Sequence, residues 1–443
     1  MSKDQNTADR KPIGKTILRY SLWLIGILAL LAIYFLITDE KLSPLAEEWF
    51  GSERQTTVAP TENAYFFWAG FGLPRDINPI EFIDARVKAL SEGGDSTFSQ
   101  QQWEIPDDSV LSELNPFVEG GLGNLAMLRP LLEDGDKISD LQNRTSFLQD
   151  RYKRLAELNQ FETPFKMNFG TPFPGGTEIL RYQSFRNLLI LHELEKGNTA
   201  KAITLAHESY EVVRNLRAGA DYMLAALSTN VLMLRYMMGC LNPMLDWQTP
   251  PAPEVITYIQ SIPLLGRDEL SLREAFHNEG RIAVNSFTVE KSNIGQRSAA
   301  RPNATRNLIA KTYNHLAELS ELPGPQYMEL RNAKFVQITP ADYLRSLAGV
   351  LQVMGYDSYI AYVDAGHSNN GYLMLLKAKA AILEHQLVRN EVESFLAEHQ
   401  QEYYNPFTGG PLEWDEVQGL LWFTGPDQEE MQKGRQVVIQ FSD

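Results

Sequence analysis

The chain has 443 residues, with 56 acidic against 40 basic, a formal net charge of −16, and a composition that is 44% hydrophobic and 22% charged. That is the make-up of a globular protein with length for two or three domains, and the excess of carboxylates excludes a nucleic-acid binder, which needs a concentrated basic surface. A single cysteine, Cys240, excludes an intrachain disulfide framework and a cysteine-based zinc site.

The first predicted element is a transmembrane helix over residues 20–38. The run from Tyr20 to Thr38 carries no charge, is bracketed by Arg19 and Asp39, and has Tyr20, Trp23, Tyr34 and Phe35 near its two ends. At about 1.5 Å per residue it just crosses a bilayer core of roughly 30 Å. Residues 1–19 hold five basic and two acidic side chains, and Asp39, Glu40, Glu47 and Glu48 follow the run. The positive-inside rule therefore leaves the short tail in the cytoplasm and the acidic body outside, which in a Gram-negative bacterium is the periplasm; in a eukaryote Asn143-Arg-Thr145 and Asn303-Ala-Thr305 would instead be candidate glycosylation sites. The apolar run is too long for a cleavable signal and no small-x-small site follows it, so it is expected to persist as a signal anchor in the inner membrane. The lipid bilayer is thus the first expected partner.

Residues 39–62 are polar and contain Pro44, Pro60 and a threonine-rich stretch, a pattern that predicts a linker lifting the body off the membrane. The body is expected over 63–403 and to be mainly α. Residues 92–123 read as surface loops anchored by Trp103 and Phe117. Apolar spacing predicts one helix over 138–158, then a loop over 164–176. A helical hairpin follows: Tyr182, Phe185, Leu188, Leu191 and Leu194 form the first face, Lys196-Gly197-Asn198 the turn, and Ile203, Ala206, Tyr210, Val213 and Leu216 the second face. Gly197 supplies the positive φ of a helix C-terminus, with Asn198 or Thr199 as the following cap. The hairpin resembles a tetratricopeptide unit, but no 34-residue period is sustained. The segment from Asp221 to Met238, uncharged between Tyr222 and Leu234, predicts a helix buried on all sides. Further helices are expected at about 252–262, 268–288, 304–320, 340–364 and 371–400. Residues 404–443 change character: turn formers in Asn405 to Pro411 precede the short runs Leu420–Phe423 and Val437–Phe441, which predict a small β appendix packed on the body.

No catalytic motif converges. Glu274-x-x-His277 has the spacing that puts both side chains on one helix face, as in di-iron carboxylate bundles, but no second copy exists. Asp364-Ala-Gly-His367 is the nearest match, and Gly366 marks it as a helix end. The candidate catalytic residues are accordingly Glu274, His277, Glu279 and His367, with no metal site and no cofactor expected. Asp427, Glu429 and Glu430 read as a solvated acidic turn rather than as a calcium loop.

Two parts of the chain carry a resemblance. Glu195-Lys-Gly197-Asn198, the apolar helix Tyr222 to Met238, and Leu272-Arg273 with Glu279 and Arg281 are joined near the C-terminus by Asn405-Pro-Phe-Thr-Gly-Gly-Pro-Leu412. In this layout the chain resembles an uncharacterised family of bacterial membrane-anchored or exported helical proteins with a C-terminal (D/N)-P-F-x-G-x-P-L segment. Asn405 stands where that family usually has Asp. The resemblance covers about half of the chain and implies no reaction. The expected function is a membrane-anchored extracytoplasmic helical scaffold that binds an envelope protein partner. The alternative is an envelope hydrolase using carboxylates in a cleft of the helical body.

Overall fold

The computed structural model describes residues 21, 23–28, 39–51, 57–92, 109–115, 125–164, 176–289, 302–331, 339, 342, 346–426 and 436–439. Residues 1–19, most of the span 20–38, the 165–175 stretch and the acidic turn at Asp427, Glu429 and Glu430 lie outside them. Ser21 and residues 23–28 are helical, and Trp23, Leu24, Ile25, Ile27 and Leu28 all present exposed apolar side chains.

The described parts of the segment expected to be a linker, residues 39–51 and 57–62, are instead packed on the body. Ser43 caps helix α1 (Pro44–Phe50) by accepting from the Ala46 amide, and Pro44 supplies the preset first turn. Ala46 and Trp49 on its inner face are buried. Further on, the Thr57 and Val58 amides both donate to Glu162 Oε2 at 2.9 Å, and Asn63 exchanges bonds with the Glu162 backbone.

Helices α2 (Ala64–Ala69), α3 (Pro79–Glu92), α4 (Ser109–Ser112) and α5 (Leu125–Leu132) follow. The single helix expected over 138–158 is two, α6 (Gly135–Arg144) and α7 (Ser146–Glu157). Thr145 breaks it: its hydroxyl donates to the Leu141 carbonyl at 2.7 Å, a bond that competes with the helical ladder. The hairpin forms as expected from α8 (Thr177–Glu195) and α9 (Thr199–Gly219), with Gly197 at φ +75°. Asn198 does not cap α9 with its side chain, which donates to Glu193 Oε2 at 2.9 Å.

The apolar helix α10 (Met223–Tyr236) continues through a π-helical turn, Met237–Leu241, into α11 (Asn242–Asp246). Among the described residues this 24-residue stretch is long and apolar enough to cross a membrane, yet 61% of its most apolar window is buried inside the protein. It packs on α8, α9 and α18, but Leu224 and Leu227 are exposed, so it is not buried on all sides as expected. After α12 (Pro253–Ser261), the helix expected at 268–288 is a short turn, α13 (Arg267–Leu270), followed by α14 (Arg273–Val289); α14 packs along α15 (Pro302–Ser320), and α16 (Gly324–Arg331) and α17 (Leu347–Met354) come next.

The expected break between 364 and 371 is absent. Helix α18 (Tyr356–Glu384) runs through both Gly366 and Gly371, so Asp364-Ala-Gly-His367 is not a helix end but a buried mid-helix segment. The glycines are contact points. A Cβ on Gly366 would lie 3.3 Å from Leu270 Cδ2, and one on Gly371 would lie 2.3 Å from the Phe423 ring. Helix α19 (Val392–Glu398) leads to the tail, a small antiparallel sheet in the order β1 (Glu413–Asp415), β2 (Leu420–Trp422), β3 (Gln436–Val438). Leu421 pairs with both Trp414 and Val437, and Leu421 and Val437 are buried on the face toward α18. The protein is thus mainly helical with a small C-terminal sheet. Within the turn that precedes β1, Asn405 accepts from the Phe407 amide at 2.9 Å and donates to the Thr424 carbonyl at 2.9 Å, while Gly409 takes φ +70°. Phe407 is completely buried.

Candidate functional site

Local sequence explains how a cleft arises beside α18. Pro263 and Gly266 end α12 and start α13, Pro323-Gly-Pro325 stops α15 and opens α16, and Pro406 fixes the tail as it crosses Gly324. Gly324 is required there, because a Cβ would lie 1.8 Å from the Pro406 carbonyl oxygen. These three connections and the middle of α18 enclose a cleft of about 1040 Å³. Leu264, Leu319, Leu322, Pro325 and Leu330 supply apolar wall, and Arg267, Arg273, Glu318 and Glu321 supply charge.

Glu321 organises the rim. Its carboxylate accepts from Arg267 Nη2 and Arg273 Nε, both at 2.8 Å, and from the Ser271 hydroxyl at 3.1 Å. Burial alone would push this carboxyl up, but the bonds from Arg273 and Arg267 outweigh it and hold it at about 2. At neutral pH the group is a fixed anion with its lone pairs in use.

His367 lies at the deep end, 2% exposed, stacked on Tyr327 with ring centroids 4.7 Å apart and tilted against Phe407 at 5.9 Å. One turn earlier on α18, Asp364 accepts from the Tyr327 hydroxyl at 2.5 Å and from Arg331 Nε and Nη2 at 3.0 and 2.7 Å. This triad locks α16 onto α18. Asn370 clamps the opposite wall by accepting from the Leu265 amide and donating to the Leu265 carbonyl, at 2.8 and 3.0 Å. Burial, and then the nearby Arg217, push the His367 imidazole down to about 4, so the ring is neutral at pH 7. Arg217 is itself buried, pushed down to about 10 by desolvation, and bonds Asn230 Oδ1 at 3.1 Å and the Leu270 carbonyl at 3.2 Å.

Of the candidates read from sequence, only His367 lines the cleft. Glu274 is exposed in the first turn of α14. His277, one turn on, donates from Nε2 to the Trp49 carbonyl at 2.5 Å and packs its ring on Trp49, 5.0 Å between centroids. Its role is to hold α1. Glu279 accepts from the Tyr359 hydroxyl at 3.3 Å, and burial pushes its carboxyl up. The spacing Glu274-x-x-His277 therefore gives no ligand pair, and no group of three metal-ligating side chains occurs among the described residues. The residues that sequence reasoning missed are Arg267, Arg273 and Glu321. They are separated by up to 54 positions, and no local pattern joins them.

The arrangement offers an apolar cavity with a rigid polar rim, suited to recognition. No family model matches the chain, and no curated protein or solved structure matches it.

Proposed function

We propose that the protein is a single-pass, membrane-anchored, extracytoplasmic helical binding protein that engages an envelope partner through the cleft beside α18. The observation that carries the reading is the rim geometry: the Glu321 carboxylate accepts from Arg267, Arg273 and Ser271, which makes it a poor proton donor and fixes two guanidiniums at the mouth of the cleft. A carboxylate hydrolase needs a carboxyl raised toward neutrality in its cleft, and among the described residues the carboxyl raised by burial is Glu279, which does not line it. The anchor is the uncharged run from Tyr20 to Thr38, with the basic tail inside and the acidic body outside. The α8–α9 hairpin, similar in form to a tetratricopeptide pair, adds a rigid helical wall of the kind that suits partner binding.

Cross-linking and affinity purification of the full-length protein from its native membrane tests this reading. Recovery of one envelope complex, lost with Arg273→Glu and kept with Glu274→Gln and His277→Gln, supports binding through the cleft. Loss of the cellular phenotype with a folded Glu274→Gln or Glu279→Gln variant, and no recovered partner, would hand the case to the hydrolase.

A further inference from the structure

The chain that follows the proposed membrane span has no slack. Asp39, the first residue after the uncharged run, caps the N-terminus of α15: its two carboxylate oxygens accept from the Asn303 and Ala304 amides at 2.9 and 3.1 Å. Those amides are orphan donors of the first helical turn, where a carboxylate also meets the positive end of the helix dipole. Asn303 then donates to the Glu40 carbonyl at 3.0 Å, and Asn307 donates to the Lys41 carbonyl at 2.9 Å. The Asn307 side-chain oxygen accepts from the Ser43 amide at 2.8 Å. Immediately beyond, α1 buries Ala46 and Trp49 against the body, and His277 fastens the Trp49 carbonyl.

A free segment of 24 residues, the length of 39–62, would let the body roam up to about 80 Å from the bilayer. The docked segment removes that reach from its first residue. We propose that the N-terminal end of α15, with Asp39 on it, is a membrane-facing surface that seats the body directly on the lipid headgroups. The proposal rests on the membrane reading above and adds to it the face and the height. About 22 Å of helix separates Asn303 from Glu318 at the edge of the cleft. Helix α15 is therefore a strut that sets how far above the headgroups the cleft can stand, and the cleft meets only partners that come within that layer.

The test uses the full chain in lipid nanodiscs containing phosphatidylcholine spin-labelled at the headgroup. Cys240 is completely buried, so a fluorophore goes selectively onto a new thiol, Pro302→Cys at the exposed start of α15. A second form carries twenty Gly-Ser residues inserted between Thr38 and Asp39, which leaves every contact above intact. The expected result is quenching of the label at 302 at least threefold stronger without the insert than with it, at equal melting temperature. Equal quenching in the two forms, or none in either while the protein resists alkaline carbonate extraction, overturns the seating and leaves the anchor standing. Release by carbonate overturns the anchor and the seating together.

Discussion

Arg151 shows how a single side chain holds a stretch with little regular structure. Its guanidinium donates to the carbonyls of Phe71, Leu73, Pro74 and Ile77, gathering the turn between α2 and α3 onto α7. A planar fork meets four fixed acceptors in a way that an ammonium cannot. Arg151→Lys is expected to lower unfolding free energy by about 2–3 kcal/mol in urea titration, since charge-assisted bonds to buried carbonyls are lost. His367 makes a pH-dependent case. Its folded value of about 4 lies below the ordinary 6.5, so the unfolded chain takes up the proton first as pH falls. The stability is fully present above about 6.5 and is lost toward 4, at a cost of about 3 kcal/mol. His192 and His315 are also held down by burial and act in the same direction. His367→Phe keeps the stacking on Tyr327 and should flatten, without abolishing, the fall in melting temperature between pH 6.5 and 4. That His367 stands near an aspartate was legible in the sequence; that it lines the cleft was not. Its ring partners Tyr327 and Phe407 come together with it only through chain crossings that no local pattern encodes.

At the scale of elements, the glycines of α18 explain both what periodicity revealed and where it misled. Amphipathic spacing located the α8–α9 hairpin, and uninterrupted apolarity located α10, because each pattern is set by the face that the helix must bury. Gly366 and Gly371 read as breaks, since glycine weakens a helix interior by roughly 0.5–1 kcal/mol. Here that loss is offset by close approach: the Phe423 ring sits where a Gly371 side chain would be. Gly371→Ala should therefore lower the melting temperature by displacing the tail, although alanine is the better helix former. Phe407→Ala empties a fully buried site stacked on Phe423 and is expected to cost about 3–5 kcal/mol. Trp422→Ala should cost less, because Trp422 is only half-buried. Calorimetry of the three variants ranks them, and an unchanged melting temperature for Gly371→Ala and Phe407→Ala would mean that the tail does not contribute to the stability of the body.

For the molecule as a whole, apolar spacing foretold a helical body, while the place of its N-terminal segment was hidden. A polar, proline-bearing stretch looks the same whether it is solvated or bonded to a distant helix, and Asp39 and Asn303 are 264 positions apart. Truncation separates the two states. Removing residues 1–38 leaves the cap and α1 in place and should preserve the urea midpoint. Removing residues 1–51 strips Asp39, Ala46 and Trp49 from α14 and α15 and should lower stability by at least about 3 kcal/mol. Equal midpoints for the two truncations would show that the segment contributes nothing to the body. The same separation sets a schedule during synthesis. A ribosome adding about 5–20 residues per second needs roughly 15–50 seconds to pass from Asp39 to Asn303. Throughout that interval Trp49 and its neighbours have no α15 to dock on, so the nascent chain carries an unsatisfied apolar segment close to its N-terminus until more than two thirds of the protein has been made.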